Sequence, residues 1–175
     1  MVAGKAECRV LNLGCGELYA DDAINVDLYA RRVDQRFDLN KFPYPFEDGW
    51  FIEIRCFNII EHLDDIFSVM AELHRISATG AKLRIRVPHF RSACLYEDLT
   101  HRHGFAWRSF DTFTAQKTVY GEYTDPKFRI QSRRYTPYLL PILYRWLSAV
   151  PVLTDNLLSK YIPMASIEFE LETIK

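Results

Sequence analysis

The first ninety or so residues alternate short apolar runs with a stretch in which apolar side chains recur every three or four positions. Residues 8–13 (CRVLNL) are an apolar run that stops at Gly14-Cys15-Gly16, the pattern of a buried strand ending in a tight turn. Residues 23–28 (AINVDL) and 33–39 (VDQRFDL) predict a second and a third strand. Pro43, Pro45 and Asp48-Gly49 then mark a loop, and residues 51–58 (FIEIRCFN) read as a fourth strand. Ile66, Val69, Met70, Leu73 and Ile76 share one helical face, which predicts a helix over 64–77. Thr79-Gly80 is its expected stop, with Gly80 in the left-handed position that follows a helix.

Residues 81–87 (AKLRIRV) predict a fifth strand, ended by Pro88. Further on, a helix is expected over 107–116 with Ser109 near its cap, and a strand over 127–135. A helix over 137–150 is expected in spite of Pro141, and residues 166–174 (SIEFELETI) alternate as a closing strand. Strands alternating with helical stretches predict βα units, hence an α/β, Rossmann-like, doubly wound and mostly parallel sheet. The span between Gly16 and Ile24 is too short for a crossover helix with its loop, so the first helix is expected to shrink to a turn. No repeat or linker interrupts the chain, which reads as one domain over 1–175 with a helical insertion over 135–165.

Composition narrows the partners. A formal net charge of −1 gives no electrostatic reason to expect nucleic acid or an anionic membrane. Cys8, Cys15, Cys56 and Cys94 form no CxxC pair, so neither a disulfide framework nor a zinc ribbon is indicated. The N-terminal residues lack the apolar core of a signal peptide. The apolar stretch over 138–153 is broken by Pro141, Arg145 and Pro151, and falls short of the ~20 residues of a membrane span. A cytoplasmic protein without a membrane span is expected.

Two features at predicted strand ends carry chemistry. Gly14-Cys15-Gly16 lets the backbone turn sharply and lets a ligand approach with no Cβ in the way. Asp27, at the end of the second strand, is placed to accept hydrogen bonds from ribose hydroxyls. Tight turns and strand-end aspartates also serve purely structural ends, so the two count mainly as a pair.

Here the chain resembles a known family. Residues 11–16 (LNLGCG) followed by 24–28 (INVDL) look like the first two motifs of class I S-adenosylmethionine-dependent methyltransferases. Asp38-Leu39 with residues 42–49 (FPYPFEDG) is similar to the family's D-L…L-P-F-x-D segment. Residues 58–63 (NIIEHL) resemble its V-L-E-H signature. Glu72, Arg75 and Thr79-Gly80 match its E-x-x-R turn before the fifth strand. The order of motifs holds from about residue 8 to residue 87.

The resemblance implies a seven-stranded-type sheet, S-adenosylmethionine as cofactor, and a role for each matched position. Gly14, Cys15 and Gly16 would pass close to the methionine part, with Asn12 standing where the family usually has an acid. Asp27 would hold the ribose hydroxyls, Asp38 the adenine amino group and Leu39 the ring edge. Asn58 would sit beside the methionine moiety, with His62 joining the cofactor set and Glu61 bracing the next helix. Leu18 replaces the third glycine, Ile52 an acid of the fourth strand, and Ala81 the second glycine of the later turn.

Acceptor chemistry is expected after the fifth strand, where residues 88–90 (PHF) and 100–103 (THRH) supply histidines suited to taking a proton. His101 is the first candidate for a catalytic base and His89 the second. His89, Cys94, His101 and His103 lack the paired short spacing of a structural zinc site, and no metal is expected. Lys127, Arg129, Arg133 and Arg134 read as a solvated basic face, or as a site for a phosphate-bearing acceptor. The Tyr-rich stretch over 138–161 reads as two core helices, or as a lid over a sugar or lipid-linked acceptor. The expected function is methyl transfer to a small-molecule or glycan-type acceptor. Its rivals are a non-catalytic scaffold that keeps the cofactor pocket, and a dinucleotide oxidoreductase.

Overall fold

Six strands form one sheet in the computed structural model, which describes residues 7–115, 127–137, 141–162 and 164–175. They are β1 (Val10–Leu13), β2 (Ile24–Val26), β3 (Phe51–Phe57), β4 (Ser77–Pro88), β5 (Phe128–Pro137) and β6 (Met164–Thr173), in the order β2-β1-β3-β4-β6-β5. The first four run parallel; β6 lies antiparallel to both β4 and β5. Residues 11–13 and the whole of β2 are buried, as expected of strands covered on both faces, with Asn12 and Asn25 the buried polar residues among their apolar neighbours. In β6, buried Ile167, Phe169 and Leu171 alternate with more exposed Glu168, Glu170 and Glu172.

The α/β Rossmann-like, mostly parallel architecture is as expected, with six strands among the described residues. The third expected strand, over 33–39, makes only one bridge, Gln35 beside Val26. The Asp34 carboxylate takes the Asn25 N–H and side-chain amide, both at 2.8 Å. The N–H groups of Asp34 and Gln35 both reach the Asn25 carbonyl, at 2.9 and 3.1 Å. Those local bonds fold the segment onto the end of β2, where a ladder would have needed extended backbone. The first crossover is, as expected, a turn, with Leu18 N–H donating to the Cys15 carbonyl at 2.7 Å.

Helix α1 (Ile66–Ile76) crosses from β3 to β4, buries Val69, Met70, Leu73 and Ile76, and is capped by Asp65, whose side chain accepts from Ser68 N–H. Gly80 does not end it. Ser77 does, with both its N–H and its hydroxyl directed to the Leu73 carbonyl. Gly80, at φ 75°, lies inside β4 where the register against β3 shifts between Ser77 and Lys82.

Two other expectations change. After the short helix α2 (Cys94–Glu97), residues 107–115 form turns and a single 3-10 turn at Asp111–Phe113; residue 116 lies outside the described residues. Ser109 Oγ accepts from the Ala106 N–H behind it, and Asp111 turns inward to Arg133, so the segment wraps into a loop. Between β5 and β6 stand α3 (Pro141–Ala149), with Pro141 as its first residue, and α4 (Pro151–Asn156). They are not core helices: Leu147 and Thr154 are buried, whereas Trp146 is 76% and Val152 65% exposed.

The chain leaves β1 for β2 on one side and returns to β3 on the other. The carboxyl ends of β1 and β3 therefore flank the topological switch point, where open α/β sheets bind ligands.

Candidate functional site at the strand tips

The turn after β1 requires its glycines. Gly14 has φ 63° and Gly16 φ 50°, in the left-handed region that an L side chain rarely adopts. A Cβ on Gly14 would stand 2.3 Å from Ile59, the second residue past β3, so the two strand tips close on each other through this glycine. Cys15 N–H is tied to the Val26 carbonyl at 3.1 Å, and its buried thiol is pushed up in pKa by burial and by the Asp27 charge.

Asp27 is the anchor of this edge. One carboxylate oxygen accepts Tyr29 and Ala30 N–H at 2.7 and 2.8 Å; the other accepts Gly16 N–H at 2.9 Å. Partial burial acts to raise its pKa, but the three N–H donors outweigh that and hold the carboxyl below its ordinary value. Asp27 therefore joins the tip of β2 to the glycine turn of β1.

Asn12 sits at the same edge, inside β1. It is 5% exposed, and its amide donates to the Leu18 carbonyl and to Asn25 Oδ1, both at 3.0 Å. Those two bonds brace the loop that follows the glycine turn. Asp38 Oδ1 accepts Asn40 N–H at 2.9 Å, and the buried Leu39 gives its carbonyl to the Tyr44 hydroxyl at 2.9 Å. Asn58, exposed at the end of β3 with φ 56°, accepts from Arg86 Nε at 2.9 Å. The Glu72–Arg75 pair has a clear structural task. Arg75 grips the Tyr44 and Phe46 carbonyls and Glu72 accepts Tyr44 N–H, so helix α1 clamps the loop that carries Asp38 and Leu39.

Past Asn58 the chain makes a 3-10 turn at Ile60–His62, onto which the loop over 98–103 docks. Arg102 and His103 N–H groups both reach the Glu61 carbonyl, at 2.8 and 3.3 Å. This brings His101 against His62, with ring centroids 4.6 Å apart, and sets His101 Nε2 4.0 Å from Glu61 Oε1. Glu61 is fully buried, and neither carboxylate oxygen has a hydrogen-bond partner among the described residues. Burial pushes its carboxyl up to about 7. Sequence reasoning gave Glu61 only a bracing role; its burial depends on the distant loop over 98–103, which leaves no local signal.

His89 is corrected. It is fully buried, accepts Arg91 N–H at Nδ1 (3.1 Å), and donates from Nε2 to Asp155 at 3.1 Å. Neither ring nitrogen is left to take a proton from an acceptor. Asp155 in turn accepts the Tyr135 hydroxyl at 2.6 Å and Trp107 N–H at 2.9 Å, so the group ties α4 to the sheet. His103 likewise bonds the Leu63 carbonyl, and the histidines over 89–103 do not converge with Cys94.

The basic run is paired in part, with Arg129 and Arg134 still 65% and 75% exposed. Arg133 pairs with Asp111, Arg134 with Glu168 and Arg129 with Glu172, so β6 and the loop over 107–115 neutralise it. A cavity of about 710 Å³ opens beside this region, with Phe90, Phe105, Trp107 and Phe110 on one side and Val152 of α4 on another. It includes none of Gly14, Gly16, Asp27 or Asp38, and so is separate from the crevice at the strand tips. The four cysteines are free thiols, and among the described residues no helix is long and apolar enough to cross a membrane.

No family model and no curated protein matches this chain. Solved structures do. A SAM-dependent methyltransferase from Archaeoglobus fulgidus is 14% identical, with TM-score 0.58 over 94% of this chain and 86% of that one. Geranyl diphosphate C-methyltransferase from Streptomyces coelicolor A3(2), solved with S-adenosyl-L-homocysteine, is 9% identical, with TM-score 0.59 over 94% and 70%. The [4+2]-cyclase SpnF is 15% identical, with TM-score 0.58 over 95% and 75%. At such identities the likeness is one of fold, and that fold is the one shared by class I S-adenosylmethionine-dependent methyltransferases.

Proposed function

We propose that this chain is an S-adenosylmethionine-dependent methyltransferase that binds its cofactor across the tips of β1, β2 and β3 and methylates a small-molecule or glycan-type acceptor. One observation carries the reading: a glycine turn with two positive φ angles, locked to a strand-end carboxylate, at the switch point of the sheet. Gly14, Cys15 and Gly16 offer bare backbone to the methionine part. Asp27 spends three of its ~4 acceptor positions on N–H groups and keeps one for a ribose hydroxyl. Asp38 has its second oxygen for the adenine amino group, with the Leu39 backbone along the ring edge. Asn58 and His62 complete the set from the β3 side, while Asn12 supports the loop without touching the cofactor.

The acceptor has to reach the cofactor methyl at the strand tips, on the β3 side where the loop over 98–103 brings His101 against His62. In the reaction, the acceptor oxygen or nitrogen attacks the sulfonium methyl, the sulfur keeps the bonding pair, and the acceptor loses its proton; His101 is the residue proposed to serve that proton. The free thiols fit a cytoplasmic location, which is part of the proposal. Titration with S-adenosylhomocysteine tests the cofactor, and transfer of labelled methyl to a panel of sugars tests the reaction. Binding without transfer selects the alternative, a non-catalytic cofactor-binding scaffold.

A further inference from the structure

We propose that Glu61, His62 and His101 form a binding site for one divalent first-row transition-metal ion. One ligand atom from each residue lies within 4.8 Å of the others. Ligands around such an ion sit roughly 2.0–2.2 Å from it, so binding needs each side chain to move inward by only about an ångström. Two imidazoles and one carboxylate are a borderline donor set, suited to Zn²⁺, Co²⁺, Mn²⁺ or Fe²⁺ and poorly suited to Ca²⁺ or Mg²⁺, which favour oxygen.

The strongest sign that a ligand belongs there is Glu61. Its side chain is 0% exposed, and both its oxygens lack a partner among the described residues. A buried carboxylate without donors is costly and calls for either a proton or a cation. His101 faces it, with Nε2 4.0 Å away and Nδ1 also buried and unpartnered.

His62 is already oriented as a ligand. The Thr100 hydroxyl donates to Asp98 Oδ1 at 2.7 Å, so the Thr100 oxygen can only accept the His62 Nδ1 proton, at 2.9 Å. That fixes the tautomer and turns the lone pair of Nε2 outward from this relay. A metal-bound histidine with its other nitrogen tied to a carboxylate, here through a threonine hydroxyl, is the usual supporting arrangement. Three protein ligands leave coordination positions for an acceptor oxygen. This role rests on the methyltransferase reading and replaces two parts of it: with the ion bound, His62 and His101 serve as ligands in place of the cofactor contact and the proton transfer proposed above, and the cation acidifies the acceptor hydroxyl.

The test is titration of the full-length protein with Co²⁺, followed by its visible ligand-field absorption, alongside S-adenosylhomocysteine calorimetry on the same sample. One Co²⁺ per chain is expected, displaced by Zn²⁺ and not by Mg²⁺. Glu61→Gln, which keeps the shape, and His101→Ala should each abolish the bands. The exposed Thr100→Val should weaken Co²⁺ roughly 10-fold with the fold intact by circular dichroism. Absence of bands in a protein that binds S-adenosylhomocysteine overturns the metal site and leaves the cofactor reading standing, with Glu61 protonated. Bands that survive both Glu61→Gln and His101→Ala also overturn it. Bands without S-adenosylhomocysteine binding uphold the site and sink the methyltransferase role.

Discussion

Gly14→Ala probes the closest approach in the proposed site, and its cost can be worked out in parts. An L residue at φ 63° costs about 1–2 kcal/mol relative to glycine. The new methyl would lie 2.3, 2.5 and 2.6 Å from three carbons of Ile59, far inside van der Waals contact, so the tips of β1 and β3 must separate. Overpacking of that kind adds about 1–3 kcal/mol. The stiffer unfolded chain returns about 0.4–1 kcal/mol. The net expected loss is about 1–4.6 kcal/mol, or roughly 2–18 °C in Tm for a domain of this size. Gly16→Ala is the control: φ is 50°, but nothing lies within 4 Å of its Cβ, so only the conformational cost applies and the net loss is about 0–1.6 kcal/mol. Urea denaturation of both variants, with Ile59→Ala added to each, gives a double-mutant cycle. Ile59→Ala removes the Cγ1 and Cδ1 overlaps but keeps Cβ 2.5 Å away, so it should relieve Gly14→Ala only in part, by about 1 kcal/mol, and leave Gly16→Ala unrelieved. Equal losses at the two glycines, or no coupling to Ile59, would refute the closed-tip geometry.

Other outcomes follow from the same contacts. Asp27→Ala should weaken S-adenosylhomocysteine by about tenfold or more, since charge-assisted hydrogen bonds contribute roughly 1.5–3 kcal/mol; unchanged affinity in calorimetry removes Asp27 from the site. Because the folded pKa of Asp27 is depressed, its contribution to stability is full above the ordinary value of 3.8 and fades as pH falls below it. Denaturation midpoints of wild type and Asp27→Asn should therefore converge in acid, and a constant gap would contradict that. His89→Ala should lower stability by about 3 kcal/mol, through a cavity and a stranded Asp155, with cofactor affinity unchanged. His101→Ala should lower methyl transfer at least about 100-fold with cofactor affinity unchanged, and full activity would return it to a structural role.

The parallel half of the sheet was legible because β1 and β2 are short, mostly apolar and buried, while β3 and the second half of β4 alternate buried Ile54, Cys56, Leu83 and Ile85 with polar Arg55, Lys82, Arg84 and Arg86. The sequence also showed the turn at Gly14 and the carboxylate at Asp27, where backbone conformation and chemistry coincide in a few adjacent residues. It misread residues 33–39, whose alternation is real but whose polar groups bond locally to Asn25 instead of joining a ladder. Gly80 was misplaced for a related reason: its positive φ is there, inside a strand irregularity instead of at a helix end. The contacts that separate His89 from His101 run from residue 89 to 155 and from 101 to 61. No local pattern encodes such pairs, so the two histidines read alike until the fold is known. The same holds for Arg133, solvated by its sequence neighbours and paired with Asp111 in the fold. The fold by itself does not fix the reaction, since one structure similar to this chain is a [4+2]-cyclase.

The central claim is that the strand tips bind S-adenosylmethionine, and calorimetric titration with S-adenosylmethionine and S-adenosylhomocysteine, with NAD as control, tests it most directly. Saturable one-to-one binding of the first two and none of NAD is the predicted result. Binding of NAD alone, or no binding of any of the three by a folded protein, would contradict it.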